Sequence, residues 1–128
     1  MDYKLILNFV TVAILLWFIY TRFAGVKGLK NLMQDQFRDE LKGNHPKFLI
    51  DVREPMEVTQ GFIPGAINIP LSQLKNRIDE IPRDKHVYLY CRSGMRSKQA
   101  ARILQRNGYR ELAHLQGGIM SWKGKIAK

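Results

Sequence analysis

The single cysteine of the chain, Cys91, opens a short polar loop that could support thiol chemistry. An apolar segment at 86–90 leads into Cys91-Arg-Ser-Gly-Met-Arg96, and a helix-like stretch follows. Backbone N–H groups of a glycine-containing loop can converge on an anion, and the N-terminus of a following helix adds to this effect. Arg92 and Arg96 bring two positive charges. We therefore expect Cys91 to be largely thiolate near neutral pH, without a histidine base.

Other roles of the cysteine and the histidines fit the sequence less well. A lone cysteine is usually a small buried hydrophobic residue, but a core cysteine gains nothing from two arginines, a serine and a glycine directly after it. One cysteine in 128 residues excludes an intramolecular disulfide, a Cys-x-x-Cys redox pair and a multi-cysteine zinc site. His45, His86 and His114 lie in separate segments without ligand spacing. We interpret them as surface or core histidines and predict neither a metal site nor a cofactor.

The segments around this loop alternate between helical and strand-like patterns. Helices are predicted at 31–41, after Glu54-Pro55, at 71–78 and at 96–107, and strands at 47–52, 66–69, 86–90 and 111–115. This alternation predicts an α/β domain with a mostly parallel central sheet flanked by helices. In such sheets ligands bind beyond the carboxyl ends of the strands, and Cys91 follows a predicted strand.

The N-terminal segment has a different character. Residues 5–21 carry no charge, and as a helix they would span roughly 26 Å, enough to cross a bilayer. We predict a transmembrane anchor at 1–22, a linker at 23–30 and the α/β domain at 31–128. A cleaved signal peptide is the first alternative, but no Ala-x-Ala pattern follows the segment. A buried core helix is the second, but it would usually show a polar stripe.

Charge is distributed unevenly along the chain. The sequence holds 21 Lys and Arg residues against 11 Asp and Glu residues. Arg22, Lys27 and Lys30 follow the apolar segment, so the positive-inside rule predicts a single-pass protein of the cell membrane with a cytoplasmic C-terminal domain. The lipid bilayer is then one expected partner.

Lys98, Arg102 and Arg106 recur every four residues and form a basic stripe on the predicted helix. The stripe is either a solvated face or a surface that attracts anionic donors or the negatively charged inner leaflet. The sequence has no nucleic-acid recognition motif and no interleaving of basic and aromatic residues, so no nucleic-acid partner is predicted.

Three stretches of the sequence together resemble a single-domain rhodanese of the sulfurtransferase family. They are Leu49-Ile-Asp-Val-Arg53, Gly61-Phe-Ile-Pro-Gly-Ala-Ile-Asn-Ile-Pro70, and Tyr90-Cys-Arg-Ser-Gly-Met-Arg-Ser97 with the tail Leu115-Gln-Gly-Gly-Ile-Met-Ser-Trp122. The resemblance implies that Cys91 is catalytic and carries sulfur as a persulfide. It also implies an active-site loop formed by Arg92, Ser93, Gly94, Met95 and Arg96, and structural support from Asp51 and Arg53.

The activity implied by this resemblance is transfer of a sulfane sulfur. The donor would be a small anion such as thiosulfate, or a persulfide, and the acceptor a thiol, a cyanide-like nucleophile or a protein. The alternative is a membrane-tethered binding or sulfur-relay module with little turnover of its own.

Two details refine the resemblance. Related phosphatase and arsenate-reductase loops place the arginine six positions after the cysteine, at Ser97 here, whereas this loop has Arg96 at the fifth. The shorter loop fits a sulfur atom better than a tetrahedral oxyanion, which disfavours phosphate chemistry.

Phe62 stands where the family usually has histidine, and we expect this difference to affect packing near the pocket more than sulfur transfer. Trp122 is expected to pack the terminal turn against the sheet.

Overall fold

The computed structural model describes residues 2–23 and 26–128, apart from the side chains of Arg22 and Phe23. The α-helices are α1 (Tyr3–Phe23), α2 (Gln34–Leu41), α3 (Pro55–Val58) and α4 (Met95–Arg106). The strands are β1 (Leu29–Leu32), β2 (Lys47–Asp51), β3 (Ile67–Asn68), β4 (His86–Tyr90) and β5 (Leu112–Leu115). Short 3₁₀ helices cover Leu71–Asn76, Ile78–Glu80 and Ile119–Ser121.

The five strands form one sheet in the order β1-β5-β4-β2-β3, and every neighbouring pair is parallel. The prediction of a mostly parallel sheet flanked by helices is therefore confirmed. All strands begin at one edge of the sheet, which we call the amino edge, and end at the opposite, carboxyl edge. Asp51 of β2 pairs with Tyr90 of β4 at the carboxyl edge, so the residues that follow these two strands lie close together.

The sheet separates two hydrophobic clusters because successive strand residues point to opposite faces. On one face, Ile50 and Leu89 pack with Leu104 of α4. On the other face, Leu49 and Tyr88 pack in a cluster that includes Phe37 of α2. Cys91 belongs to the α4 side, so its side chain leaves the sheet toward the helix that follows it.

The outermost strand, β1, differs from the sequence-based prediction. Residues 29–30 were expected to end a linker and residue 31 to begin a helix, but Leu29–Leu32 pair with β5 in register from Leu112 to Leu115. The helix begins three residues later than predicted, at Gln34. Only two of the four strand residues, Leu29 and Leu32, are buried. The strand therefore depends on its long-range partner more than on its own pattern.

The N-terminal helix α1 stands apart from the two clusters. Its stretch Tyr3–Thr21 has a mean hydropathy of 1.9, and none of its most apolar window is buried against the rest of the chain. The helix is long and apolar enough to cross a membrane, a property that a signal sequence would share.

Candidate active site

Cys91 follows directly on the last residue of β4, and its sulfur accepts hydrogen bonds from the backbone of the next loop. The Gly94 N–H lies 3.0 Å from Sγ and the Ser97 N–H lies 3.4 Å from it. Gly94 has φ +106°, a left-handed conformation that glycine adopts without strain. This conformation lets the chain turn its amide inward just before α4 begins. The cysteine is only 1% exposed, so a reactant must reach the sulfur through the loop opening.

The segment that follows β5 is hydrogen-bonded to the backbone of the thiol loop. The Ile119 N–H donates to the Cys91 carbonyl at 2.9 Å, and the Met120 N–H donates to the Arg92 carbonyl at 3.2 Å. Gly118 makes this approach possible: a Cβ atom there would lie 2.2 Å from the Arg92 carbonyl oxygen. The tail that follows β5 is therefore part of the scaffold of the thiol loop.

The two arginines of the loop have different surroundings. Arg92 is exposed to solvent. The Arg96 guanidinium donates to both carboxylate oxygens of Glu57, at 2.6 and 2.9 Å, in a bidentate pair. This guanidinium holds the pKa of the Glu57 carboxyl well below its usual range, at about 2. The sequence suggested that Arg96 would stabilise the sulfur anion. In the structure its charge is largely paired with the Glu57 carboxylate of α3.

Asp51 and Arg53 form a second ion pair, which is buried. The Arg53 Nη2 atom lies 2.7 Å from Asp51 Oδ2 and also 2.7 Å from the carbonyl oxygen of Gly61. The Asn68 side-chain amide donates to the backbone carbonyls of Asp51 and Arg53, at 2.9 and 2.8 Å. The pair therefore connects the end of β2 to the turn that follows α3 and to β3.

A chain of buried polar groups leads away from the sulfur on its other side. The Cys91 Sγ lies 3.6 Å from the Ser97 hydroxyl oxygen, which is 2.8 Å from Nδ1 of His114. The other ring nitrogen, Nε2, is 2.7 Å from Asn31 Oδ1. An amide oxygen can only accept, so Nε2 carries the proton and Nδ1 accepts from Ser97. Burial, with the Lys98 charge as a smaller cause, lowers the pKa of His114 to about 4, which keeps the ring neutral at pH 7.

A shallow cavity lies beside the loop and combines ionic and apolar groups. Its lining residues are Arg53, Glu57, Gln60, Gly61, Arg92, Ile119, Met120 and Ile126. Met120 is 69% exposed at its rim. Within the described part of the chain, no three His, Cys, Asp or Glu side chains are grouped so that they could hold a metal ion.

Sequence reasoning placed the thiol and its loop together but missed several supporting groups. Glu57 and Ser97 were not singled out, and His114 was treated as an ordinary surface or core histidine. Asn31 was assigned to a helix, whereas it lies on β1 and reaches His114 from there. No local signal identifies these partners, because Asn31 and His114 are 83 residues apart in the chain.

The comparisons with known proteins agree with this geometry. The profile described as a rhodanese-like domain matches residues 33–125. The chain belongs to the rhodanese-like family. Among its relatives, the Bacillus subtilis protein YqhL is 51% identical over 98 residues, covering 77% of this chain and 75% of the relative. An Allochromatium vinosum protein named as a sulfurtransferase is 46% identical over 74 residues, covering 58% of this chain and 69% of its own length.

Solved structures give the same result for this rhodanese-like chain. A rhodanese-related protein from Thermoplasma volcanium superposes with a TM-score of 0.70 at 30% identity, covering 77% of this chain and 97% of the other. The family and fold inferred from the sequence motifs are confirmed. Family membership and similarity to proteins named as sulfurtransferases support sulfur transfer as the general activity.

The rhodanese-like domain departs from the usual family motif at Phe62, and the structure shows what occupies that position. Phe62 is half-buried and forms an antiparallel bridge with Ala127 through two backbone hydrogen bonds of 3.0 and 2.8 Å. Trp122 packs edge-on against Phe37, with ring centroids 6.2 Å apart. Trp122 also packs against the hydrophobic cluster on the α2 face of the sheet, so the terminal turn lies on that face, as expected.

Proposed function

We propose that this rhodanese-like protein transfers a sulfane sulfur through a persulfide on Cys91. The observation that carries the proposal is the pair of backbone N–H groups, of Gly94 and Ser97, that point at Sγ. Such fixed donors stabilise a negatively charged sulfur in a site that water barely enters. They act directly on the thiolate of the free enzyme, whereas in the persulfide the negative charge lies chiefly on the outer sulfur.

The transfer runs in two steps. In the first, the Cys91 thiolate attacks the outer sulfur of the donor, the bond between the donor's two sulfur atoms breaks, and the leaving group departs with the electron pair. With thiosulfate the leaving group is sulfite, and Cys91 becomes a persulfide anion. In the second, a nucleophilic acceptor attacks the outer sulfur and restores the Cys91 thiolate. Cyanide as acceptor would leave as thiocyanate.

The surroundings of the loop support a small anionic donor. Arg92 is exposed at the rim of the cavity and can attract the donor, whereas Glu57 neutralises most of the Arg96 charge. In this proposal Arg96 and Glu57 hold the shape of the opening, and Ser93 and Met95, which are both exposed, line it. The Asp51–Arg53 pair keeps the end of β2 and the turn after α3 in place and does not touch the reacting sulfur.

The proposal includes a division of the chain and its location. Residues 1–22 would anchor the protein in the cell membrane, and the α/β domain would lie in the cytoplasm, where a single thiol stays reduced. The apolar and unburied surface of α1 supports the anchor. If the full chain stays with membranes after an alkaline wash and keeps its N-terminus, the anchor is supported. A purified protein that lacks the first twenty residues would instead identify a signal sequence.

The sulfur chemistry is tested by intact-mass measurement before and after incubation with thiosulfate. We expect the wild-type protein to gain one sulfur atom, to lose it on addition of cyanide, and to form thiocyanate at a rate proportional to enzyme. Cys91→Ser should show none of these changes. Ser72→Ala, an exposed change in the 3₁₀ helix Leu71–Asn76 that loses only a hydrogen bond to Glu54, serves as the control and should behave as wild type.

The outcomes separate the two candidate activities. A stable persulfide that cyanide and small thiols do not discharge would favour the sulfur-relay module over an enzyme with its own turnover. Full thiocyanate production by Cys91→Ser would contradict both.

A further inference from the structure

A basic groove lies on the domain at the C-terminal half of α4. Its lining residues are Val26, Lys27, Arg102, Gln105 and Arg106. Three of the five are cations, and none of these described lining residues is acidic. Arg102 and Arg106 are one helical turn apart and therefore share a face of α4. The groove thus contains two of the three residues of the basic stripe, neither of which takes part in the proposed sulfur transfer.

The groove is held close to the end of the N-terminal helix. α1 ends at Phe23, and Val26 is already buried in the core of the domain at 8% exposure. Three residues of extended chain reach at most about 11 Å. The side-chain amide of Gln105 donates to the carbonyl of Lys27, which fastens this part of the chain to α4. Lys27 and its neighbours on α4 cannot move far from the point where α1 ends.

The topology of the sheet then places the active site at the opposite end of the domain. The chain enters the sheet at Leu29, on the amino edge, where Leu29 pairs with Leu112 of β5. Cys91 follows β4 at the carboxyl edge. A strand of five residues spans about 16 Å, and α4, which runs back from the thiol loop to the groove, spans about 18 Å. The tether and the thiol are therefore at opposite edges of the sheet.

We infer that the basic groove lies against the anionic headgroups of the bilayer that α1 spans, so that the opening over Cys91 faces away from the membrane. The inference rests on the proposed anchor. Each basic residue near an anionic bilayer favours contact by about fivefold, and the attraction falls off within a Debye length of about 8 Å. The short connection to α1 lets Lys27 come within this range. Sulfur donors and acceptors would then approach from the aqueous phase.

A second basic groove offers a competing orientation. Arg38, Lys42, Lys123 and Lys125 surround an apolar floor that includes Trp122. This groove lies on the other face of the sheet and has no short connection to α1, so it is not tied to the membrane surface. It supplies a matched control for the experiment, because reversing two of its lysines changes the net charge by the same amount.

The test uses the full chain in lipid nanodiscs that carry nickel-chelating headgroups, and spin labels whose relaxation reports distance to those headgroups. The labels are attached to Asn107→Cys, beside the groove, or to Met120→Cys, beside the thiol loop, each combined with Cys91→Ser so that the label is unique. In discs with about one-third phosphatidylglycerol, we expect the label at 107 to relax much faster than the label at 120. In discs of phosphatidylcholine alone the short connection to α1 should leave a difference, but a clearly smaller one.

Charge reversal identifies the face that contacts lipid. Lys27→Glu with Arg106→Glu should lower the ratio of docked to undocked domain at least twenty-five-fold and reduce the difference between the labels to that seen in phosphatidylcholine discs. Lys123→Glu with Lys125→Glu should leave it intact. Equal relaxation of the two labels in anionic discs, or loss of the difference only in the second variant, would overturn the inference. A full chain that does not co-purify with neutral discs would instead remove the anchor, and the inference with it.

Discussion

The surroundings of the thiol loop and the groove on α4 carry charge in different ways. At the carboxyl edge, charged side chains are paired: Arg53 with Asp51 at 2.7 Å and Arg96 with Glu57 at 2.6 Å. At the amino edge, Lys27 and the end of α4 line a groove without an acidic residue among its described lining. The sequence locates the loop arginines and the basic stripe, and the fold shows which of these cations have carboxylate partners.

This difference indicates where substitutions should matter. Paired and buried groups at the carboxyl edge hold the backbone of the thiol loop, so changing them should alter stability and catalysis together. Lys27 and Arg106 are exposed side chains of the groove, so changing them should alter association and leave the fold intact. Four substitutions test this contrast, from the largest expected effect to the smallest.

Gly118→Ala should have the largest effect. Gly118 has φ +65°, and its new Cβ would lie 2.2 Å from the Arg92 carbonyl oxygen and 2.6 Å from the Cys91 carbonyl oxygen. Both neighbours are backbone atoms of the thiol loop, so the loop has to move. We expect a loss of about 4 kcal/mol in the free energy of unfolding from overpacking and backbone strain, and loss of sulfur transfer.

Gly65→Ala is the matched control for this change. Gly65 also has positive φ, at +89°, but a Cβ there meets no atom within 4 Å. Gly65→Ala should lower the free energy of unfolding only by the cost of the backbone strain, about 1 kcal/mol, and should keep its activity. Urea unfolding in detergent micelles and a thiocyanate assay measure both variants. Equal losses in the two would show that the close contact under the loop is unimportant.

His114→Gln should change how stability depends on pH. The folded-state pKa of His114 is lowered to about 4 by burial and by Lys98, whereas an unfolded histidine has a pKa near 6.5. Between these values the unfolded chain binds one more proton, so the contribution to stability is present above pH 6.5 and is lost as pH falls toward 4. The total is about 3 kcal/mol, at 1.36 kcal/mol per pKa unit.

In the His114→Gln variant the side chain does not titrate, so this dependence of the free energy of unfolding on pH is removed. Unfolding free energies measured at pH 7, 5.5 and 4 should show it as a flatter curve than that of wild type. Ser97→Ala, which loses the hydroxyl but keeps the imidazole, should retain the slope. A glutamine variant as acid-sensitive as wild type would mean that the sensitivity arises elsewhere.

Glu57→Gln should have a moderate effect on stability and a distinct effect on catalysis. The pKa of Glu57 is lowered from 4.5 to about 2, chiefly by Arg96. The ionised Glu57 carboxylate therefore stabilises the folded state above pH 4.5, and this contribution is lost as pH falls toward 2. The pair is partly solvated, so at neutral pH the variant should lose about 1 kcal/mol at most. Removing a negative charge from the opening should lower the KM for thiosulfate about threefold at low salt.

Glu80→Gln is the control, since Glu80 forms a similar bidentate pair with Arg77, at 2.7 and 2.9 Å, away from the thiol. Its KM should equal that of wild type. If both variants change KM equally, the effect is general and does not come from the opening.

Arg106→Gln should have the smallest effect. Arg106 is exposed in the last turn of α4, where a cation favours the helix by only a few tenths of a kcal/mol. The free energy of unfolding and the rate of thiocyanate formation should both stay close to the wild-type values. A large loss of either would contradict the contrast between the thiol loop and the groove.

The parts of this protein that could be predicted from sequence are those encoded locally. The thiol loop is a continuous segment in which strand, glycine and helix follow one another, so its position at the carboxyl edge follows from the pattern alone. The helix α4 was placed within a residue at each end for the same reason.

The remaining parts depend on contacts between distant segments. β1 has a polar middle and becomes a strand only by pairing with β5. Arg96 meets a carboxylate 39 residues away. His114 is buried between Ser97 and Asn31, which come from α4 and β1. Neither hydropathy nor spacing reveals such pairs, because each partner taken alone resembles an ordinary surface residue.

The bridge between Phe62 and Ala127 has a practical consequence for handling the protein. The bridge holds Ala127 in place. The neighbouring residue, Ile126, lines the cavity beside Arg92. A purification tag or reporter joined after Lys128 would begin within about 7 Å of this bridge, where it could compete with a substrate for the cavity. An internal fusion site such as the exposed turn at Gly65 offers a location for reporters that leaves the cavity clear.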